Sequence, residues 1–250
     1  MISIRNIHKS FGAQTVLNGV SLEIAPKTTT AIVGPSGTGK SVLLKIITAM
    51  MDADCGEVLV NGESMTDPRE AGSRTRLLSK MGLLFQSAAL LDSLTLIENV
   101  AFPLRYGLKK FTEDEICERS FLRLKQVGLL GREYALPGEV SIGMRKRVGI
   151  ARALVTDPEV LLFDEPNTGL DPEVGQEIYD LIKETQQMYP FTGIVVSHEI
   201  PEVFQVCNRV VMLYNGQVQI DGTVDEFLRS ELPLVKQFVA GAVEGPIQLA

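Results

Sequence analysis

Residues 34–41 read GPSGTGKS, flanked by TTTAIVG on one side and KSVLLKIITAM on the other. The left flank is short and β-branched, the right flank apolar on a helical period. A strand thus enters a loop containing Gly34, Gly37 and Gly39, and a helix leaves it. The spelling G-x-x-x-x-G-K-[ST] has a physical reason. Glycines let successive N–H groups of Gly34, Pro35, Ser36, Gly37, Thr38 and Gly39 (Pro35 excepted, having none) curl around phosphate oxygens. The helix behind them points its positive end at the same place. Lys40 is the cation for β- and γ-phosphates and Ser41 offers a hydroxyl to Mg²⁺; Val42, next in the helix, closes the candidate ATP-binding stretch. A Gly-rich turn with no ligand would share the letters but not the strand–loop–helix setting.

A second constellation strengthens this reading. VLLFDE is a buried-strand pattern that delivers Asp164 and Glu165 at its carboxyl end, the edge where open α/β sheets bind ligands. Asp164 is the candidate Mg²⁺ ligand and Glu165 the candidate for polarising an attacking water. Adjacent carboxylates before Pro166 would otherwise read as a helix cap. His198 closes GIVVSH at another strand end; a lone histidine is more often a satisfied core or surface residue. Three strand termini converging on one ligand favour a γ-phosphate contact instead. Gln86, after GLLF, is the candidate to touch metal or water, and Phe11 in HKSFG to stack on a base rather than fill a core.

Composition sets the outer limits. The chain has 250 residues, 45% hydrophobic and 22% charged, with formal charge −7. Such a chain is globular, and bulk attraction to nucleic acid or anionic lipid is not expected. Cys55, Cys117 and Cys207 are too scattered for a disulfide framework or zinc site and suit a reducing cytosol. The N-terminal stretch MISIRNIHKSFG lacks the apolar core of a signal peptide. No apolar run reaches the length of a membrane span; SAALLDSLTLIENVAF comes nearest and is broken by Asp92 and Glu98. Work at a membrane would therefore need an integral partner.

Strand-like SIRNI, TVLNGVSLEI, TTTAIVG and EVLVNG precede a long strand-poor interval, and VLLFDE, GIVVSH and RVVMLYNG follow it. The order implies an α/β core with a mostly parallel sheet. Between residues 87 and 152 the pattern is helical: Ile116, Phe121, Leu124 and Val127 recur near helical spacing with charge between them. We divide the chain into an α/β nucleotide-binding core (1–86 and 153–225), an inserted helical subdomain (87–152) and a tail (226–250). The tail holds a helix-like piece ended by Gly and Pro.

Phe11, GPSGTGKS, Gln86, VSIGM, VLLFDE, TGLD (Thr168 to Asp171) and His198 occur in the order used by ATP-binding cassette ATPases. The chain resembles that family over essentially its whole length. The resemblance implies a P-loop NTPase with a RecA-like core, an antiparallel β subdomain and an inserted α-helical subdomain. It implies ATP and Mg²⁺ as ligands. Ser41, Gln86 and Asp164 would lie on the metal; Glu165, His198 and Lys40 would serve catalysis. It further implies a homodimer in which ATP is sandwiched between one subunit's GPSGTGKS and the other's Ser141 and Gly143. Its implied place is cytoplasmic, peripheral on the inner membrane through an integral-membrane permease. LLFQSAALLDSLTLIENVAFPLR and VKQFVAGAVEGPIQ are similar to ATPases of MCE-type lipid transporters, the Mla phospholipid system among them. An MCE-domain lipid-binding protein then joins the implied partners, and nucleic acid does not. Another cassette importer or exporter, or a soluble cassette ATPase, is the competing reading; the soluble type usually carries tandem cassettes or a long coiled-coil insertion.

The signature departs from its usual Leu-Ser-Gly-Gly-Gln spelling. VSIGM places Ile142 where glycine is common, which matters only if that position needs positive φ or bare backbone. Ser141 is a good N-cap for the helical run MRKRVGIARAL, so Ile142 should be the first helical residue with ordinary φ. The remaining cost would be steric, against the opposing nucleotide.

Overall fold

Thr29–Val33 (β3) is buried at all five positions, as is every position of Thr192–Ser197 (β8), which pairs with it in parallel. GIVVS of β8 is one of the continuous apolar runs of the sequence, and burial on both faces is what such runs predict; β3 is a short β-branched segment buried in the same way. Arg209–Tyr214 (β9) flanks β3 on its other side, also parallel, and Gln217–Thr223 (β10) returns antiparallel to β9. The structure is a computed structural model and describes residues 1–67 and 71–248. It divides into two units, residues 1–74 with 192–250, and residues 75–191.

The first unit contains these strands and a separate antiparallel sheet. Ile2–Phe11 (β1) and Gln14–Ile24 (β2) form a hairpin registered from Ile2 against Ile24 to Phe11 against Gln14. Cys55–Val60 (β4) and Glu63–Ser64 (β5) complete the order β2-β1-β4-β5. Leu17, Val20, Leu22 and Ile24 of β2 are buried while Ser21 and Glu23 face outward, the alternation of a half-buried strand. Lys40–Ile47 (α1) follows β3. The tail forms Val224–Leu228 (α7) and Pro233–Ala240 (α8), and Gly241 stops α8 at φ +60.

In the second unit, Met81–Leu84 (β6) pairs in parallel with Val160–Asp164 (β7). No strand is found among residues 87–152. That interval holds Leu96–Tyr106 (α3), Glu113–Gln126 (α4) and Ile142–Leu154 (α5); Pro172–Met188 (α6) follows β7. Thr95 with Glu98, and Thr112 with Glu115, form reciprocal caps at the starts of α3 and α4. The threonine contacts hold the carboxyls of Glu98 and Glu115 below the usual glutamate range.

Within ALLDSLTLIENV, helix α3 begins only at Leu96. The preceding turn is fixed by Asn99, which accepts from Leu91 N and donates to the carbonyls of Leu91, Leu94 and Thr95. A buried amide that satisfies so many main-chain groups outcompetes helical propensity.

Candidate active site

In the first unit the loop after β3 has the form its glycines require. Gly34, Gly37 and Gly39 have φ of +148, +79 and +95. A Cβ on Gly34 would lie 2.2 Å from the Leu213 carbonyl oxygen, and one on Gly39 2.8 Å from Leu17 Cδ2. Only glycine fits these approaches. Lys40 is 4% exposed and turns back over the loop, donating to the carbonyls of Gly34 and Pro35, both at 2.8 Å. Thr38 Oγ1 donates to Pro35 O at 2.9 Å. Gly39 caps α1 without a side chain and no acidic residue occupies the helix's first turn, so the positive helix end carries no carboxylate of its own there. Ser41 and Val42 are half-buried in that turn.

The loop borders a cleft of about 730 Å³ lined by Gln14–Val16 on β2, residues 35–38, the 214–216 turn, Pro246 and Gln248. Phe11, at the far end of the β1–β2 hairpin, is 46% exposed and not among the lining residues. His198 directly follows Ser197, which is in register with Val33, so both chains leave the sheet at one edge. Its ring is half-buried.

The second unit gathers a different set. Leu84 is in register with Phe163, so Gln86 and Glu165 each stand two residues beyond paired positions. Gln86 Nε2 donates to Glu165 Oε2 at 2.8 Å, and Thr168 Oγ1 donates to the same oxygen at 3.1 Å. Glu165 has φ +47, in the left-handed region that non-glycine residues rarely enter. Asp164 ends β7 at 7% exposure. Adjacent carboxylates here are not a helix cap: the α6 cap is Asp171, which accepts from Val174 N at 3.1 Å and precedes Pro172 at the first helical position.

Ser141 caps α5, its Oγ accepting from Met144 N at 3.2 Å, and Ile142 is the first helical residue, outside the positive-φ residues. Ile142 is 47% exposed. Gly143 is buried, and a Cβ there would lie 2.6 Å from Val174 Cγ1.

The family model described as ABC transporter matches residues 17–168. The chain belongs to that family. It binds and hydrolyses ATP, as the family does. It is 38% identical to the probable ribonucleotide transport ATP-binding protein mkl of Mycobacterium leprae, over 100% of this chain and 71% of that protein. It is 34% identical to the intermembrane phospholipid transport system ATP-binding protein MlaF of Haemophilus influenzae, over 99% of this chain and 93% of that one. Among solved structures, it is similar to the dimeric ATP-binding cassette MJ0796 in a post-hydrolysis state with ADP and Pi. That likeness has TM-score 0.81 and 30% identity, covering 90% of this chain and 99% of the other. The fold is the expected one: an α/β P-loop NTPase of the cassette type, with a RecA-like core, antiparallel β sheet and inserted helices.

Two residues of this ABC ATPase escaped sequence reasoning. Lys146 Nζ donates to the Glu165 main-chain oxygen at 3.0 Å, and Arg152 donates to the carbonyls of Ala88 and Ala89. Both belong to MRKRVGIARAL, whose letters indicate a helix but not what its basic side chains hold. Burial pulls the Arg152 guanidinium below its ordinary range.

Proposed function

We propose that this ABC ATPase powers a multi-chain transporter that moves phospholipid or another lipid. The observation that carries the reading is the similarity to MlaF along 99% of this chain. The comparable similarity to mkl supports a second reading, a ribonucleotide transporter.

The site residues take the following roles in this proposal. Main-chain N–H groups of residues 36–39 hold the phosphates and Lys40 places its charge on the β- and γ-groups. For that it exchanges the Gly34 and Pro35 carbonyls for phosphate oxygens. Phe11 offers an exposed ring to the base. Glu165 takes the proton of the attacking water, with Gln86 and Thr168 fixing its carboxylate; His198 contacts the γ-phosphate. Ser141 and Gly143 serve the nucleotide of a second copy across a homodimer. The Ser41 hydroxyl, the Asp164 carboxylate and the Gln86 amide are hard oxygen donors of the kind Mg²⁺ takes beside phosphate and water. When bound, that ion neutralises charge on the phosphates.

An integral-membrane permease is the partner this scheme needs, since among the described residues no helix is long and apolar enough to cross a membrane. Within residues 88–97 Leu91 is the large apolar side chain that is exposed. A wider apolar surface lies further on, in a groove of about 550 Å³ bordered by Met81, Phe102, Tyr106, Leu108 and Phe111. Phe102 and Tyr106 pack in a tilted arrangement with ring centroids 4.7 Å apart, and Tyr106 is 74% exposed. We place a permease segment there, with an MCE-domain protein joining through the permease and the assembly on the cytoplasmic face. The test is purification of the tagged chain from its native membrane. Co-purifying membrane-spanning chains, bound phospholipid and phospholipid-stimulated hydrolysis are expected; stimulation by ribonucleotide other than ATP, with no bound lipid, would favour the second reading.

A further inference from the structure

Helix α5 does more than present Ser141 and Gly143. Lys146, in its second turn, is 1% exposed, and its Nζ group donates to the main-chain oxygen of Glu165. Burying a lysine head group is costly unless it is well partnered, so such a residue is kept for what it holds. What it holds is a peptide in a conformation that persists only when the surroundings enforce it, the left-handed backbone of Glu165.

The same helix fastens a second turn of that kind. Ala88 and Ala89, just beyond Gln86, have φ of +61 and +45. Arg152 donates to both of their carbonyls, at 2.5 and 2.7 Å. Gly149, between the two basic residues, lets α5 approach β6: a Cβ there would lie 2.6 Å from Leu84 Cδ1. One rigid helix therefore grips both main-chain turns that bring Gln86 and Glu165 together.

We propose that Lys146 is a positioning residue for hydrolysis, fixing the Glu165 peptide so that its carboxylate stays where Gln86 and Thr168 hold it. Arg152 does the same for the Gln86 turn. Displacement of the signature helix is thereby transmitted to the carboxylate that activates water. The inference rests on the reading of Glu165 as the general base.

Lys146→Met keeps the length and packing of the side chain and removes the donor. In the purified transporter, kcat should fall roughly ten- to a hundred-fold, the scale of a displaced catalytic group, with KM for ATP within about twofold. Lys146→Arg, which keeps a donor, should recover part of the rate. In the nucleotide-free full chain, amide hydrogen exchange in residues 165–169 should quicken while α1 is unchanged. A double-mutant cycle separates positioning from general damage: in a Glu165→Gln background, Lys146→Met should add less than about twofold. Should Lys146→Met fail to fold, Lys146→Gln, whose amide falls short of the carbonyl, is measured in its place with the same expectation. Wild-type kcat in the variant measured, or an undiminished loss in the Glu165→Gln background, overturns the proposal. Near-normal turnover in Glu165→Gln alone would instead overturn the general-base reading.

Discussion

The loop of residues 34–41 and the Gln86–Glu165 pair are built on opposite principles. The loop is local and made of main chain: glycines at positive φ, a helix end, and Lys40 folded onto carbonyls five and six residues away. The pair is made of side chains brought together across 79 residues, and its geometry is held by a third segment, α5. A local loop can recognise phosphate with little help from the rest of the fold. A carboxylate assembled from distant segments responds when any of them moves, which suits the role in the chemical step proposed for Glu165.

If this contrast is right, substitutions in the two regions should separate binding from chemistry. Lys40→Ala is expected to have the largest effect. In the proposed role Lys40 is the nearest cation to the β- and γ-phosphates in ground state and transition state alike, so hydrolysis should become undetectable and ATP affinity should fall at least about tenfold. Equilibrium binding of ATP and phosphate release measure the two parts. Unchanged affinity with lost turnover would move Lys40 out of the binding role and blur the comparison.

Glu165→Gln should act on chemistry alone. General-base catalysis contributes roughly 10²–10⁴-fold, and a loss of that size is expected in kcat with ATP affinity within about threefold. The amide cannot take the water's proton, so a nucleotide-bound dimer should accumulate, visible by light scattering in the presence of ATP. Turnover near the wild-type rate would remove Glu165 from the proposed role.

The same contrast explains what was legible beforehand. Eight consecutive residues spell the loop; Val160–Asp164 announces itself as a buried strand because it is apolar up to its terminal aspartate, and Thr29–Val33 as a strand because it is β-branched at four of five positions. β10 was not legible. QVQIDGT has only Val218 and Ile220 as apolar letters, both half-buried, and five polar or glycine letters around them, too weak a period-2 signal beside the continuous apolar runs of the other core strands. The start of α3 is hard to read from the letters because the deciding residue, Asn99, acts on a turn that precedes it in the chain. Lys146 and Arg152 could not be found at all from spacing. Their partners are carbonyl oxygens 19 and 63–64 residues away, and a carbonyl has no letter.

Ile142 gives the smallest expected effect and the sharpest local test. The structure removes one objection to the residue: it begins α5 outside the positive-φ region, so glycine is not required there by backbone conformation. It also shows that Gly143 is a poor probe of phosphate approach. Any side chain at Gly143 meets Val174 Cγ1 within the chain itself, so inactivity of Gly143→Val would report a displaced α6 contact as much as a blocked nucleotide. Ile142, by contrast, is 47% exposed beside Ser141 on the turn proposed to face the partner's nucleotide. Ile142→Gly leaves the Ser141 cap and the Gly143 amide in place while removing bulk from that face. Its cost lies in a freer unfolded chain, up to about 1 kcal/mol, or roughly 2–4 °C in melting temperature. Steady-state hydrolysis by the assembled transporter should rise, by less than about threefold, an activation change under 1 kcal/mol. A fall in rate with the expected small loss of stability would mean that Ile142 itself packs against the opposing subunit, and that the side chain is part of the interface and not an obstruction.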